Sequence, residues 1–143
     1  MTECIFCRIG KGVAPASIVY SDVQVLAFMD ILPVNPGHVL IVPKVHAEQL
    51  SGLSEETGAQ MFRVAMRISK GLRRSNIKCE GVMLLLADGE VAGQEIPHVH
   101  LHVIPRYAGD GFGMKFGPRY GSKPDRKELD KVASKIVVAM KSG

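Results

Sequence analysis

The sequence predicts an α+β fold on a mostly antiparallel sheet. Five short β-branched or apolar segments are separated by turn residues, two longer stretches repeat apolar residues at helical spacing, and the helices fall between hairpins instead of alternating with every strand.

The strand signals run in chain order. Ser17–Tyr20 is short and β-branched, and Val23–Met29 is apolar up to Asp30. The run LPVNPG reads as a turn, punctuated by Pro and Gly. His38–Val42 follows and is stopped by Pro43; Gly81–Leu86 is a buried-strand candidate; and His98–Ile104 alternates with period 2 up to Pro105. Between Glu55 and Leu72 the apolar positions Met61, Val64, Ala65, Ile68 and Leu72 form one helical stripe, with Ser54 as N-cap and Glu55 and Glu56 in the favourable first turn. A second stripe, Leu129, Val132, Ile136 and Met140, predicts a helix over Pro124–Met140, with Pro124 at the first helical position. A shorter helix is expected near Ile5–Lys11. The Gly-rich stretch 107–123 has no periodicity and reads as a loop or surface arm, so residues 1–143 are read as one domain.

Length and composition narrow the classes. At 143 residues and 46% hydrophobic, the chain suits one packed domain. No apolar run is long enough to span a membrane, and the N-terminus lacks the pattern of a secretory leader, so a cytoplasmic protein is expected. Three cysteines, Cys4, Cys7 and Cys79, argue against a disulfide framework. From Pro105 onward there are nine Lys+Arg against four Asp+Glu, and before it nine against ten, so the basic surplus is C-terminal. It reads as a solvated helix face or as a surface that attracts phosphates. Nucleic acid is not the expected partner, because the basic residues do not interleave with aromatics and there is no Trp.

The chemistry concentrates at His98, His100 and His102, which alternate with Val99, Leu101 and Val103. In a strand, residues two apart share a face, so three imidazoles project one way with successive Cα atoms roughly 7 Å apart. Such a face suits metal ligation or nucleophilic attack on phosphorus with neighbouring imidazoles as donors. Spacing does not separate the two.

The segment His98–Ile104 matches the histidine-triad (HIT) signature, His-φ-His-φ-His-φ-φ, at every position. Phe28-Met29-Asp30-Ile31, Pro36–His46 and Ala92–Arg106 also resemble successive blocks of that family. The resemblance implies a HIT-like fold with a five-stranded sheet per subunit, one long central helix and a C-terminal helix, usually in a two-fold homodimer. It implies a hydrolase or nucleotidyl transferase that binds a purine nucleotide. His100 would attack the α-phosphorus, His102 would donate to a phosphate oxygen, and His38 would support the site. Asp30 would hold the ribose, while Ile5, Phe6, Ile9, Phe28 and Ile31 would line the purine slot. Gly93 and Gln94 would bring donors to the phosphate. Glu95 would protonate a departing amine. The third histidine, a Gln in the transferase branch, favours hydrolysis. Ala87 departs from the family's common Asn or Gln, and losing one such donor costs about 0.5–1.5 kcal/mol, which weakens activity without abolishing it.

Cys4-x-x-Cys7 alone reads as half of a metal site, a redox pair or two plain thiols. The branch of the family that carries this pair implies two further ligands, here His46 and His98, and thus a closed structural zinc site. Two other readings stay open: a metal-dependent hydrolase with the triad as ligands, and a nucleotide-binding partner protein whose catalysis is incidental.

Overall fold

A computed structural model of the chain describes residues 3–143, which form two compact units, one ending at Gly111 and the other starting at Phe112. In the first unit, helix α1 (Ile5–Gly10) precedes the hairpin of β1 (Ile18–Ser21) and β2 (Val25–Met29). Strand β3 (Val39–Pro43), helix α2 (Glu55–Arg74), β4 (Gly81–Leu85) and β5 (Leu101–Arg106) follow. All four strand pairings are antiparallel, in the order β1-β2-β3-β5-β4, which gives the expected α+β class and five-stranded sheet.

Period-2 alternation divides the core between the two sheet faces. Val25, Ala27, Val39, Ile41, Val99, Leu101 and Val103 pack with Met61, Val64, Ala65, Ile68 and Leu72 of α2. The alternate residues Leu26, Phe28, Leu40 and Val42 pack with Phe6 of α1. β2 and β3 are therefore covered on both faces, which explains their unbroken apolar runs. α2 starts as expected, with the Ser54 hydroxyl accepting from Thr57 N at 3.1 Å, and it runs two residues past Leu72.

Three boundaries differ from expectation. The second strand begins at Val25, not Val23, because Asp22 accepts from the amides of Gln24 and Val25 and holds a turn there. The hydrogen-bonded part of the histidine segment begins at Leu101, so His98 and His100 lie just ahead of the ladder. That strand also continues through Pro105 to Arg106. The β3–β5 ladder covers only Leu101–Val103, so only β4 flanks Pro105 and its missing N–H breaks no bond on the other side. Gly37 turns the chain into β3 at φ 98°; a Cβ there would lie 3.0 Å from Ile77 Cγ2 and 3.2 Å from Leu72 Cδ2 and Pro105 Cγ.

In the second unit, Phe116 stacks on Tyr120 with centroids 3.9 Å apart, ahead of helix α3 (Arg126–Lys141). Asp125, not Pro124, sets its start: the carboxylate accepts from Glu128 N at 2.8 Å, which puts Pro124 before the cap. No residue of α3 is buried. No helix of the described residues is long and apolar enough to cross a membrane.

Candidate active site

The histidines divide into three environments. His98, the first, is buried and turned toward the N-terminus of the chain. Its Nε2 lies 2.8 Å from the Pro43 carbonyl, which can only accept, so Nδ1 keeps its lone pair. That Nδ1 is 3.3 Å from Cys4 Sγ, 3.7 Å from Cys7 Sγ and 3.1 Å from His46 Nδ1, while Cys7 Sγ lies 3.4 Å from His46 Nδ1. All three cysteines are free. A tetrahedral zinc with bonds of about 2.0–2.3 Å has ligand-to-ligand edges of roughly 3.3–3.8 Å; the three sulfur–nitrogen separations fall in that range and the nitrogen–nitrogen one is slightly shorter. The Pro43 carbonyl supplies the outer hydrogen bond that orients a metal-bound imidazole. The ring's basicity falls because burial disfavours its cation, with the carbonyl opposing and His46 and His100 adding to the fall.

His100 has the complementary arrangement. Its Nδ1 donates to the His98 carbonyl at 2.8 Å, so Nε2 carries the lone pair. The ring is 6% exposed and packs edge-on against Phe6, with centroids 5.3 Å apart. With Nδ1 committed to that carbonyl, the nitrogen this buried ring leaves for chemistry is Nε2, held in a fixed direction.

His102 stands beside it, with ring centroids 5.0 Å apart. Its Nδ1 is 2.8 Å from His38 Nε2, and His38 Nδ1 is 3.0 Å from the Val34 amide. Burial holds both rings below the ordinary histidine value. For His102, His100 and His38 add to the effect and bring it to about 4; for His38, Asp30 opposes it. Asp30 Oδ2 lies 3.5 Å from His38 Nε2, and its Oδ1 accepts from Leu32 N.

The residues expected around these rings are placed as follows. Phe6 and Phe28 are buried with centroids 5.5 Å apart, and Ile9 packs on the same cluster. Ile5 and Ile31 are 42% and 90% exposed. Gly93 adopts the left-handed conformation at φ 98°. The Gln94 side chain is fully engaged: Oε1 accepts from Gly89 N, and Nε2 donates to the Glu48 and Ile96 carbonyls. The Gly93 and Gln94 amides donate to Glu90 O and Gly89 O. Gln94 therefore staples the 89–96 loop, a role that its position in the chain did not reveal. The exposed Glu95 lines a cleft of roughly 650 Å³ with Glu48, Glu90 and Gln94. Other contributors are backbone groups, namely the His98 and Pro43 carbonyls and the Val34 amide, which no residue type advertises.

The three triad rings do not converge on one point. Among the described residues, the groups able to hold a metal are Cys4–Cys7–His46–His98 and Asp30–His38–His102. One imidazole with Nε2 held in a fixed direction, a second beside it and a third built into a cysteine cradle define a histidine-triad protein.

Comparison with known proteins agrees. The HIT domain family model matches residues 11–109. A HIT family protein from Bacillus anthracis superposes with a TM-score of 0.87 at 38% identity, over 95% of this chain and 96% of that one. A Zn-bound histidine triad family protein from Mycobacterium smegmatis superposes at 0.74 with 35% identity, over 97% and 96%. Adenosine 5'-monophosphoramidase hnt1 from Schizosaccharomyces pombe is 35% identical over 137 residues, 94% of this chain and 98% of that protein. The chain belongs to the HIT family.

Proposed function

We propose that the protein hydrolyses a purine nucleoside phosphoramidate through a nucleotidyl intermediate on His100. The observation that carries the reading is the His98 carbonyl under His100 Nδ1, which leaves Nε2 as the attacking lone pair. His100 Nε2 bonds to the α-phosphorus as the P–N bond breaks, and Glu95 gives a proton to the departing amine. Water then attacks the same phosphorus and gives its proton to the Glu95 carboxylate, the P–His bond breaks to restore neutral His100, and the mononucleotide leaves. His102 donates to a phosphate oxygen in both steps, Asp30 accepts from the ribose hydroxyls, and Gly93, Gln94 and Glu95 border the phosphate. The base lies on Phe6 and Phe28, with Ile5, Ile9 and Ile31 at its edges.

Two features favour an amine over a phosphate chain as leaving group. The relative from S. pombe bears the name of a phosphoramidase. A cleft lined by Glu48, Glu90 and Glu95 has the charge to disfavour a polyphosphate and favour an amine. Zinc in the Cys4, Cys7, His46 and His98 cradle is structural, tying α1 to the histidine segment, and the working form is a cytoplasmic homodimer.

The test is acid-quenched mass spectrometry during turnover of an adenosine phosphoramidate. It should find a nucleotidyl group on His100, absent in His100→Asn, which still binds AMP. Chelator-sensitive turnover with no adduct would favour a metal-dependent hydrolase. Nucleotide binding with no turnover would favour a partner protein.

A further inference from the structure

We infer that Cys4 and Cys7 form an oxidisable clasp: a peroxide turns the pair into a disulfide, expels zinc and loosens the wall beside His100. The inference rests on the proposed zinc site and adds a second chemistry to it. Cys4 caps α1 and Cys7 stands in its first turn, and their Sγ atoms lie within 4.8 Å of each other as free thiols. A sulfur oxidised at either position therefore has the other at hand to resolve it. The cradle is also open on one side. Cys4 and Cys7 are half-buried and His46 is exposed, and all three line a cleft of roughly 500 Å³, whereas His98 closes the inner side at 1% exposure. A small neutral oxidant reaches the sulfurs from that cleft. Cys79 has no such neighbour: it packs with the cluster on the opposite sheet face from Cys4, and its Sγ donates to the Gly81 carbonyl.

The step balances as follows. One thiolate attacks a peroxide oxygen, the O–O bond breaks, and the hydroxide released takes a proton from solvent to become water. The other sulfur attacks the sulfenic sulfur so formed, the S–S bond forms, and the S–OH group leaves as a second water with a second proton. Two thiolates are oxidised and the peroxide is reduced. Zinc departs as the ion, because a disulfide sulfur is no longer an anionic ligand. The coupling to the nucleotide face runs through His98 and Phe6. The His98 ring faces both sulfurs, while its own backbone carbonyl accepts from His100 Nδ1 at 2.8 Å. Phe6 lies between the two cysteines in the chain and packs edge-on against His98 and His100, with centroids 5.6 and 5.3 Å apart. Loss of the metal thus unties α1 from His46 and His98 and frees the ring that walls the nucleotide.

The experiment titrates the zinc-loaded full chain with hydrogen peroxide. Zinc release is read with a chromogenic chelator, the state of each cysteine by peptide mass spectrometry, and AMP affinity by calorimetry. Zinc should leave in step with a Cys4–Cys7 disulfide, and AMP should then bind about 10-fold more weakly, the worth of one well-packed aromatic wall. Dithiothreitol followed by zinc should restore both, and Cys79→Ala should respond as wild type does. Three results overturn the inference: zinc retained while Cys79 oxidises, zinc lost with Cys4 and Cys7 oxidised separately and no disulfide, or a disulfide with AMP affinity unchanged. A chain that takes up no zinc overturns it as well. All of these are read on wild type, so none depends on how a variant folds. Zinc loss and disulfide as stated, with AMP bound by neither form, would instead count against the nucleotide reading.

Discussion

Asp22 shows how one side chain ties a hairpin to a helix. Its Oδ1 accepts from the Gln24 and Val25 amides at 2.7 and 2.8 Å, and its Oδ2 from Tyr20 Oη and Gln60 Nε2 at 2.8 Å each. Burial pushes its ionisation up, but the four donors outweigh it and bring the value down to about 2 from 3.8. A lowered folded value means that the stabilisation is complete above the unfolded value near 4 and is lost as pH falls through about 2. Partial exposure reduces its size to about 1–2 kcal/mol. Urea unfolding at pH 7 and pH 3 should show wild type losing more stability on acidification than Asp22→Asn, and equal losses would contradict this account. Gly37 is the other decisive single position. With φ at 98° and a Cβ 3.0–3.2 Å from three side chains, Gly37→Ala should lose about 2–4 kcal/mol in the same assay.

Helix α1 has six residues, with no side-chain cap and no acidic residue in its first turn. So short a helix does not hold itself together in water. Its stability comes from Phe6, wedged between Phe28, His98 and His100, and from the two cysteines facing His46 and His98. Cys7→Ser, or zinc removal by a strong chelator, should therefore lower Tm by about 10 °C and weaken nucleotide binding through loss of the Phe6 wall. Metal analysis beside a thermal melt checks it, and a protein purified without chelator that holds no zinc would end this part of the reading. The same elements show what the sequence could reveal. The alternation through β5 and the stripe of α2 were legible because burial of one face imposes a period on the chain. The four residues able to hold a metal, Cys4, Cys7, His46 and His98, and the three histidines were legible through a family pattern. The ends of the strands were not, since Asp22 and the short β3–β5 ladder, not propensity, decide them. Nor were the backbone partners of His98, His100 and His38, which are the carbonyls of Pro43 and His98 and the amide of Val34.

Charge divides at the boundary between the two compact units. Up to Gly111 there are ten Lys+Arg against eleven Asp+Glu; from Phe112 onward there are eight against three. The buried core residues all lie in the first unit, while Leu129, Val132, Ile136 and Met140 of α3 are 41–75% exposed. The expected amphipathic stripe of the C-terminal helix therefore exists, but none of its residues is buried. A helix with no fully buried apolar residue is a weak source of stability. A chain ending at Gly113, which keeps the half-buried Phe112, should accordingly fold, retain the Cys4–Cys7–His46–His98 metal site and melt within about 5 °C of the full chain. It should also elute earlier from a cation exchanger, because the whole basic surplus leaves with residues 114–143. Thermal melting with zinc stoichiometry measures this, and a truncated chain that aggregates or melts more than about 10 °C lower would mean that the last 30 residues support the sheet after all.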